Sequence, residues 1–349
     1  MNADERALRE EEYGAFLDWL GSLGVQRSLV ARYGCGVIAA LLLEFVQAQF
    51  RRGASLNKVK QAIFGVQAVH PVTSTDSRRV WATVSNWERQ EPGDSHLPVP
   101  EVAYAASLGV CCVWIPSGGV QAWRRGFGCL WLEMLASQVG GWLSLARPGE
   151  VLRLRRSDLG LLSDFGCERG PGFVVFNDPK GNWGREAARA EHVKISDAAG
   201  LAFLEAYAAP LHEHEFLFPS LACGSASASS SRYRKCWDAV YGGALGFPCR
   251  DGVGLTPASM RAGALTALYG AGAEPGRLQW HARHKSERTT RRYVQELGAS
   301  VVLARLPADR REAIVELART APVLLRAVTA ELRAPPRPSS PVVPRRGPA

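Results

Sequence analysis

Apolar residues recur every three or four positions along most of this chain, which is the spacing of one buried face on an α-helix. Between residues 10 and 90 the pattern forms short amphipathic segments separated by turn signals, and it returns from 101 to about 155. Two runs differ, GFVVFN (172–177) and AEHVKI (190–195), because they are short, rich in β-forming residues and joined by a polar turn. The pattern therefore predicts a mainly α-helical protein with a small antiparallel β-sheet.

Helical spacing resumes after the two strands. It predicts helices in segments 197–211, 233–245, 257–269, 275–282 and 286–297. A last amphipathic helix is predicted over about 299–332, in one piece or in two around Pro307, and it either docks on a neighbouring protomer or packs on its own domain. The run CGSASASSSR (223–232) has low complexity and is predicted to be a loop.

The most apolar window, residues 128–146, is nearly long enough to span a bilayer. Glu133 and Gln138 interrupt it, and polar side chains are costly inside a membrane. The window is therefore predicted to be a buried core helix rather than a membrane span.

The stretch EPGDSHLPVP (91–100) contains three prolines and few apolar side chains, as interdomain linkers do. It predicts an N-terminal helical domain over 1–92, a linker over 93–100 and a second domain over 101–333. The remaining residues, 334–349, hold six prolines and no periodicity, so they are predicted to be an unfolded tail.

Composition and charge narrow the classes of function. The 349 residues are 46% hydrophobic and 21% charged, which suits a globular protein of two ordinary domains. A formal charge of +9 and a pI near 9.3 favour a polyanionic partner such as nucleic acid or an acidic membrane surface.

The eight cysteines form no CxxC pair and no metal-ligand spacing, which is typical of free thiols in a reducing compartment. The N-terminal sequence MNADERALREEEYG is charged with mixed sign and resembles neither a secretory signal nor a transit peptide. We therefore expect an intracellular protein of the nucleus or the bacterial cytoplasm, not a secreted one.

The segment SLARPGEVLRLRRSDL (144–159) places an arginine at a helix joint. Proline favours the first position of a helix and disfavours helical geometry in the residue before it, so one helix should end near Arg147 and another begin at Pro148. A guanidinium held there is a two-pronged donor suited to phosphate, and Glu150 can fix its orientation. The alternative is an ordinary Arg–Glu pair that ties two helices together.

Two further cations stand out. Lys180 follows Asp178 and Pro179 in the turn between the predicted strands, where a lysine is usually a solvated loop residue. Arg261 lies one turn into a helix with Thr256 as its expected N-cap, on the packed side, where a guanidinium needs a partner.

The segment HARHKSERTTRRYVQEL (281–297) combines two histidines, five Lys/Arg side chains and one tyrosine. Ser286 is a suitable N-cap for a helix that leads to Tyr293, and His284 precedes that turn.

In order and spacing these segments resemble the conserved boxes of the tyrosine recombinases, also called the phage-integrase family. ARPGEVLRLRRSDL is similar to the family's first arginine box, PKGN to its lysine hairpin, LTPASMRAGALT to its H-x-x-R box, and HKSERTTRRY to its closing G-[HW]-x-S…T-x-x-Y motif. Each box alone is a weak signal, and the ordered set is a strong one. The resemblance covers roughly residues 10 to 300, and the N-terminal helical domain resembles the family's core-binding domain.

The resemblance implies a site-specific DNA recombinase or integrase, of the kind that mobile elements carry, that cuts and rejoins DNA through a 3′-phosphotyrosyl intermediate. Tyr293 would be the nucleophile, Arg147 and Arg261 would stabilise charge on the phosphate, Lys180 would protonate the leaving 5′ oxygen, and His284 would hydrogen-bond the scissile phosphate. The resemblance implies no metal and no other cofactor. It implies double-stranded DNA as partner and a homotetramer on two duplexes during the reaction.

Further basic residues are candidate contacts to DNA phosphates, although for any one of them a solvated helix face is an equal alternative. These residues are Arg51, Arg52, Lys58, Lys60, Arg78, Arg79, Arg291 and Arg292. Arg291 and Arg292 either grip DNA or, if they point inward, favour the phenolate of Tyr293.

The sequence departs from the family pattern in two places. Ala258 stands where the H-x-x-R box has histidine, and an alanine side chain can neither donate nor accept a proton. Ala282 and Arg283 stand where the closing motif prefers glycine, which bears on the geometry of the turn. One acid/base group contributes a factor of about 10² to 10⁴, so loss of the histidine predicts slow chemistry or a protein that only binds DNA.

Two other hypotheses are open. A type IB DNA topoisomerase would share the arginine and tyrosine residues, and it would relax supercoils without a partner DNA. A metal protein would use His212, Glu213 and His214, although two histidines two positions apart are usually surface residues.

Overall fold

The computed structural model describes residues 3–70, 72, 75–90, 97–177, 191–220, 223–227, 230–249, 254–284 and 286–335, with the backbone alone at 3–5, 89–90, 220, 223–227 and 292. These residues form two compact units, Met1–Asp94 and Ser95–Ala349. Each unit has its own hydrophobic core.

The N-terminal unit is a bundle of helices with an aromatic centre. Its helices are α1 (Ala3–Ser22), α2 (Arg27–Val30), α3 (Cys35–Arg51), α4 (Leu56–Val69) and α5 (Arg78–Gln90). Phe16 and Phe45 are in edge-to-face contact at a centroid distance of 5.4 Å within this core. Gly65 lets α4 approach α1 closely, because a Cβ there would lie 2.5 Å from the carbonyl oxygen of Arg9.

The C-terminal unit is mainly helical. Its helices are α6 (Glu101–Trp114), α7 (Gly119–Arg124), α8 (Leu130–Leu143), α9 (Pro148–Val151), α10 (Ala198–Ala208), α11 (Ser230–Trp237), α12 (Ser259–Gly270), α13 (Pro275–His281), α14 (Glu287–Tyr293), α15 (Glu296–Ala304) and α16 (Ala308–Arg333). A π-helical segment, Asp238–Ala244, continues α11. The fold is therefore mainly α, as the hydrophobic pattern predicts.

Its strands are β1 (Leu159–Gly160), β2 (Gly172–Phe176), β3 (Glu191–Ile195), β4 (Pro219–Ser220) and β5 (Cys223–Ser227). The first three form an antiparallel sheet in chain order, and its last register pair is Phe176 with Glu191. The sequence predicts two of these strands, since a two-residue strand such as β1 is too short to show alternation. The loop prediction for 223–232 is wrong in part, because β5 pairs with β4.

The apolar window 128–146 is the buried helix α8, as predicted. Both polar interruptions have hydrogen-bond partners. Glu133 accepts a hydrogen bond from Arg232 at 2.9 Å, and Gln138 accepts one from the Tyr241 hydroxyl at 3.2 Å. Among the helices in the described ranges, none has the length and apolar character that a membrane crossing requires.

The chain after the candidate nucleophile Tyr293 differs from its predicted outline. The helix predicted over 286–297 ends at Tyr293, because the Gln295 amide donates to Thr266 Oγ1 at 3.1 Å and the chain turns there. The final helix is in two pieces that break at Pro307, and the second piece, α16, packs on α6 of its own unit. The tail from 336 onward lies outside the described residues.

Candidate active site

Helix α8 ends in a left-handed turn that delivers Arg147. Leu145 has a φ of 51°, its N–H bonds the carbonyl of Trp142 at 3.3 Å, and the next N–H, of Ala146, bonds that of Gly141 at 3.0 Å. This pair of bonds is the Schellman motif, whose left-handed position is usually glycine. Arg147 follows directly as the N-cap of α9.

Helix α13 ends in the same motif and delivers His284. Arg283 has a φ of 55°, its N–H bonds the carbonyl of Trp280 at 3.0 Å, and the N–H of His284 bonds that of Gln279 at 3.0 Å. Within the described ranges, Arg283 and Leu145 are the two non-glycine residues with positive φ. Such positions cost of order 1–3 kcal/mol each and persist where the surroundings enforce them.

The Arg261 side chain bridges the two turns. Its Nη1 donates to the carbonyl oxygen of Leu145 at 2.5 Å, and its Nη2 donates to that of Ala282. The residue is 2% exposed and lies on the packed face of α12 beside Leu265, as its helical position predicts. One guanidinium thus holds together two segments that are far apart in the sequence.

Three arginines lie around the buried carboxylate of Glu150. It accepts hydrogen bonds from the Arg147 amide at 2.8 Å, from Arg147 Nη1 at 2.7 Å and from Arg283 Nη2 at 2.6 Å, and Arg261 Nη1 lies 3.9 Å away. Burial opposes ionisation of this carboxyl, but Arg283 and Arg147 outweigh burial and lower its pKa. The expected Arg147–Glu150 pair is therefore present as part of a larger cationic cluster.

Tyr293 ends α14 next to His284. The two rings stack with centroids 5.0 Å apart, and the Arg261 guanidinium carbon lies 5.9 Å from the centre of the tyrosine ring. The helix is placed by the predicted cap, because the Ser286 hydroxyl accepts from the Thr289 amide at 3.3 Å.

The charges of the cluster follow from its burial. Burial, reinforced by Arg147 and Arg283, lowers the pKa of Arg261 to about 9, so the group stays cationic at pH 7. Burial, reinforced by the same cations and by Arg261, lowers the pKa of His284 to about 4. At pH 7 the site therefore combines charged guanidinium groups with a neutral imidazole.

Several buried nitrogen atoms of this cluster have no hydrogen-bond partner among the described residues. They are Arg261 Nε, Arg283 Nε and Nη1, and His284 Nε2. The Arg283 Nε still lies 3.3 Å from a Glu191 carboxylate oxygen. Buried polar atoms are nearly always satisfied by protein, water or ligand, so this concentration of donors suits an oxyanion.

A cavity of about 440 Å³ adjoins the cluster and is lined in part by Glu150 and Asp158. Arg153 and Arg155 contribute to its lining, together with Phe176 and Asn177. Volumes of this size accommodate small organic ligands. Space for a ligand thus lies next to the arginine cluster.

Acidification tests the charge of His284. Because its folded pKa of about 4 is below the unfolded value of about 6.5, the unfolded chain binds a proton that the folded chain does not. We expect the free energy of unfolding to fall as the pH is lowered from 7 to 5, and to fall less in His284→Asn. Denaturant titrations at both pH values measure the difference. Equal pH dependence in the two proteins would show that His284 titrates normally.

Four of the predicted site residues, Arg147, Arg261, His284 and Tyr293, lie within this cluster together with Glu150. Lys180 lies outside the described residues. The predicted Thr256 cap is wrong, because α12 begins at Ser259, whose hydroxyl accepts from the Thr256 amide at 3.0 Å.

The remaining basic candidates lie on the surface or in ion pairs. Arg51, Arg52, Arg78 and Arg79 are exposed, Lys58 lies 3.6 Å from Glu12, and Lys60 bonds Glu88. Arg291 does not point inward, since its side chain is 75% exposed and pairs with Glu287 at 2.8 Å. The side chain of Arg292 is outside the described set.

The described residues offer no set of ligands for the metal-protein hypothesis. The rings of His212 and His214 lie parallel with centroids 6.1 Å apart. Across the part of the chain that the structure describes, no three His, Cys, Asp or Glu side chains are grouped as metal ligands.

Comparison with known proteins identifies no family. No family model matches the chain, and no curated protein matches it. The crystal structure of the XerH site-specific recombinase bound to difH substrate, a pre-cleavage complex, is similar at 15% identity with a TM-score of 0.47, over 75% of this chain and 68% of that chain. A post-cleavage complex of XerH with palindromic difH substrate is similar at 13% identity with a TM-score of 0.46, over 78% and 71%. At this degree of likeness the chain is not assigned to a family.

Arg283 is the member of the cluster that the sequence does not predict as a site residue. In the sequence it appears as a departure from a glycine in the closing motif. In the structure its side chain is 4% exposed and bonds Glu150. The signal available in the sequence was a charged residue at a position where the closing motif prefers glycine.

Proposed function

We propose that this protein is a DNA strand transferase of the tyrosine-recombinase type, which cuts and rejoins duplex DNA at specific sites. One observation carries the proposal, and it joins three separate segments: Arg147 and Arg261 lie at the Glu150 carboxylate, and Arg261 also lies beside Tyr293, whose ring stacks on His284. Their order in the sequence is the order of the family's boxes.

In the proposed reaction the Tyr293 oxygen attacks the scissile phosphorus as the phenol loses its proton. The bond from phosphorus to the 5′ oxygen breaks, a 3′-phosphotyrosyl bond forms, and the leaving oxygen takes up a proton. Attack by the 5′ oxygen of the same or another strand reverses these steps. The bond energy is kept in the phosphotyrosine, so the proposed reaction requires no nucleotide and no other cofactor.

The arginine cluster matches the charge that this reaction develops. A phosphodiester is already anionic, and attack adds negative charge to its non-bridging oxygens. Arg147, whose side chain is 36% exposed, is the most accessible arginine around Glu150. Arg261 is buried but remains charged at pH 7. His284 Nδ1 lies 3.0 Å from Thr290 Oγ1, and with the Thr290 hydroxyl as donor the neutral ring carries its proton on Nε2, from which it would donate to a phosphate oxygen. Lys180 is proposed as general acid on its sequence position alone.

The proposal is tested by trapping the covalent intermediate. Duplexes that the full chain binds are first selected from a random library and are then nicked beside each phosphate in turn. A nick lets the short 5′ product diffuse away, so a phosphotyrosyl adduct accumulates. We expect an adduct that survives denaturing electrophoresis in the wild type and is absent in Tyr293→Phe, which should still bind the DNA. Binding without an adduct at any nick would contradict strand transfer.

The second candidate function is a DNA-binding protein with impaired catalysis, and Ala258 favours it. This residue lies at the start of α12 and is partly exposed, so a larger side chain has room there. We expect Ala258→His to raise the rate of adduct formation at least about tenfold, because one positioned acid/base contributes about 10² to 10⁴. Ala258→Gln adds similar bulk without titrating and should leave the rate unchanged. An equal rate in all three proteins would show that this position takes no part.

The topoisomerase alternative would form the same adduct, so a second assay separates it: it predicts relaxation of supercoiled DNA without a partner duplex. For the recombinase we propose assembly as a homotetramer on two duplexes, inside the cell, as an enzyme that a mobile element encodes.

The N-terminal unit would contribute contacts to DNA phosphates through its exposed cations, Arg51, Arg52, Arg78 and Arg79. Lys58 and Lys60, which lie beside acidic partners, are weaker candidates for these contacts.

A further inference from the structure

Arg283 connects the sheet to the arginine cluster. Its guanidinium carbon lies 3.7 Å from the centre of the Phe176 ring, and its Nε lies 3.3 Å from a Glu191 oxygen. Phe176 and Glu191 are register partners at the end of β2 and β3. On its other side Arg283 Nη2 donates to Glu150 Oε2 at 2.6 Å.

Backbone geometry does not explain an arginine at this position. A φ of 55° favours glycine, and burying a guanidinium at 4% exposure costs free energy unless the group is paired. Arg283 is paired on both sides, yet its Nη1 has no partner among the described residues. The Arg283 side chain therefore has a role that the backbone geometry of the turn does not require.

The two oxygens of the Glu150 carboxylate accept from different donors, and this difference indicates the role of Arg283. Oε1 accepts from Arg147 Nη1, whereas Oε2 accepts from Arg283 and from the Arg147 amide. With Oε2 occupied, Arg261 stays 3.9 Å away and keeps its hydrogen bonds to the two turns. Without Arg283, the carboxylate would be held by Arg147 alone, and a turn of Oε2 toward Arg261 would shift the Arg147 guanidinium that Oε1 holds.

We propose that Arg283 is a positioning residue, which holds Glu150 so that the Arg147 and Arg261 guanidinium groups keep a fixed separation for one DNA phosphate. The inference rests on the proposed function. Arg283 then acts through Glu150 and does not need to touch the DNA. Misplacement of a reacting group by about 1 Å can cost about 10² in rate, which sets the size of the expected effect.

The test compares Arg283→Gly, Arg283→Lys and Arg147→Ala in the full chain. Glycine removes the guanidinium and suits the left-handed φ, so it is the variant best able to fold. Lysine keeps a charge for Glu150 without the planar contacts. Arg319→Ala is the matched control, since it removes one exposed charge from an ion pair on α16 at 3.5 Å.

We expect Arg283→Gly to slow adduct formation on the nicked duplex by about 10² while changing DNA affinity less than about threefold, with lysine intermediate. Adding Arg147→Ala to Arg283→Gly should cost much less than Arg147→Ala alone, because coupled residues are not additive. Full additivity, or a loss of DNA affinity equal to the loss of rate, would overturn the inference.

A DNA-independent measurement separates this inference from the proposed function. In NMR spectra of the full chain with isotope-labelled arginine, the Arg147 side-chain signal is assigned by its absence in Arg147→Lys. We expect restricted rotation of this guanidinium in the wild type and in Arg319→Ala, and averaged signals in Arg283→Gly. An unchanged Arg147 signal in Arg283→Gly overturns the positioning role. A wild type that forms no adduct speaks only against strand transfer, and the spectra still decide the role of Arg283.

Discussion

Replacing Arg261 with alanine should disrupt both the structure and the chemistry of the C-terminal unit. The change removes two hydrogen bonds from a charged donor to the carbonyls of Leu145 and Ala282. Bonds of this kind contribute about 1.5–3 kcal/mol each, and relief from burying the charge offsets part of the loss, so we expect a destabilisation of about 3 kcal/mol. The left-handed turns at Leu145 and Arg283 should open first, since Arg261 joins them.

Hydrogen exchange of the full chain measures this effect locally. The amides of Ala146 and His284 form the last bonds of the two turns at 3.0 Å, and they should lose protection in Arg261→Ala before the rest of the unit. Arg261→Lys keeps the charge but can reach only one of the two carbonyls, so one turn should stay protected. Adduct formation should be lost in both variants. Native protection of both amides in Arg261→Ala would refute the bridging role.

The second large effect is expected from Gly263→Ala in α12. A Cβ at this position would lie 2.9 Å from the Val99 amide nitrogen and closer still to its carbonyl oxygen. The Val99 amide bonds the carbonyl of Ser259 at 3.1 Å, so the opposing backbone is itself fixed. Overpacking costs typically about 1–3 kcal/mol of stability. Because the new methyl group of Gly263→Ala lies between two backbone segments, we expect a destabilisation of about 3 kcal/mol or more.

Gly140→Ala is the matched control, because Gly140 lies inside α8 with nothing within 4 Å of its Cβ position. Alanine is favoured over glycine inside a helix by about 1 kcal/mol, so this variant should gain stability. Thermal and denaturant unfolding of both variants measures the contrast. Equal stability of Gly263→Ala and the wild type would show that α12 can move away from Val99 at little cost.

The hydrophobic pattern predicted the helical framework because long amphipathic segments repeat their signal over several turns. It left open whether the final helix is one piece or two around Pro307, and the observed helix is in two pieces. It did not predict β1 or the pairing of β4 with β5, whose strands are too short or too polar to alternate. It also extended α14 past Tyr293, because the bond from Gln295 to Thr266 is tertiary.

The candidate site was predictable only in part. The order of the boxes indicated Arg147, Arg261, His284 and Tyr293, and the Pro148 joint explained how Arg147 is placed. The sequence could not show that a leucine and an arginine take up left-handed turns, since glycine is the expected residue at both positions. Nor could it show that Arg283 bonds Glu150, a contact that spans 133 positions and depends on how the sheet packs.

The bridge that Arg261 makes between two helix ends has an evolutionary consequence. On the proposed function, this side chain both secures the fold and stabilises the reacting phosphate, so selection for the fold would retain it after activity is lost. Relatives that had lost activity would keep this arginine, whereas their tyrosine would be replaced by other residues. Among relatives of this chain, the amino acid aligned with Tyr293, rather than the one aligned with Arg261, is therefore the better marker of retained activity.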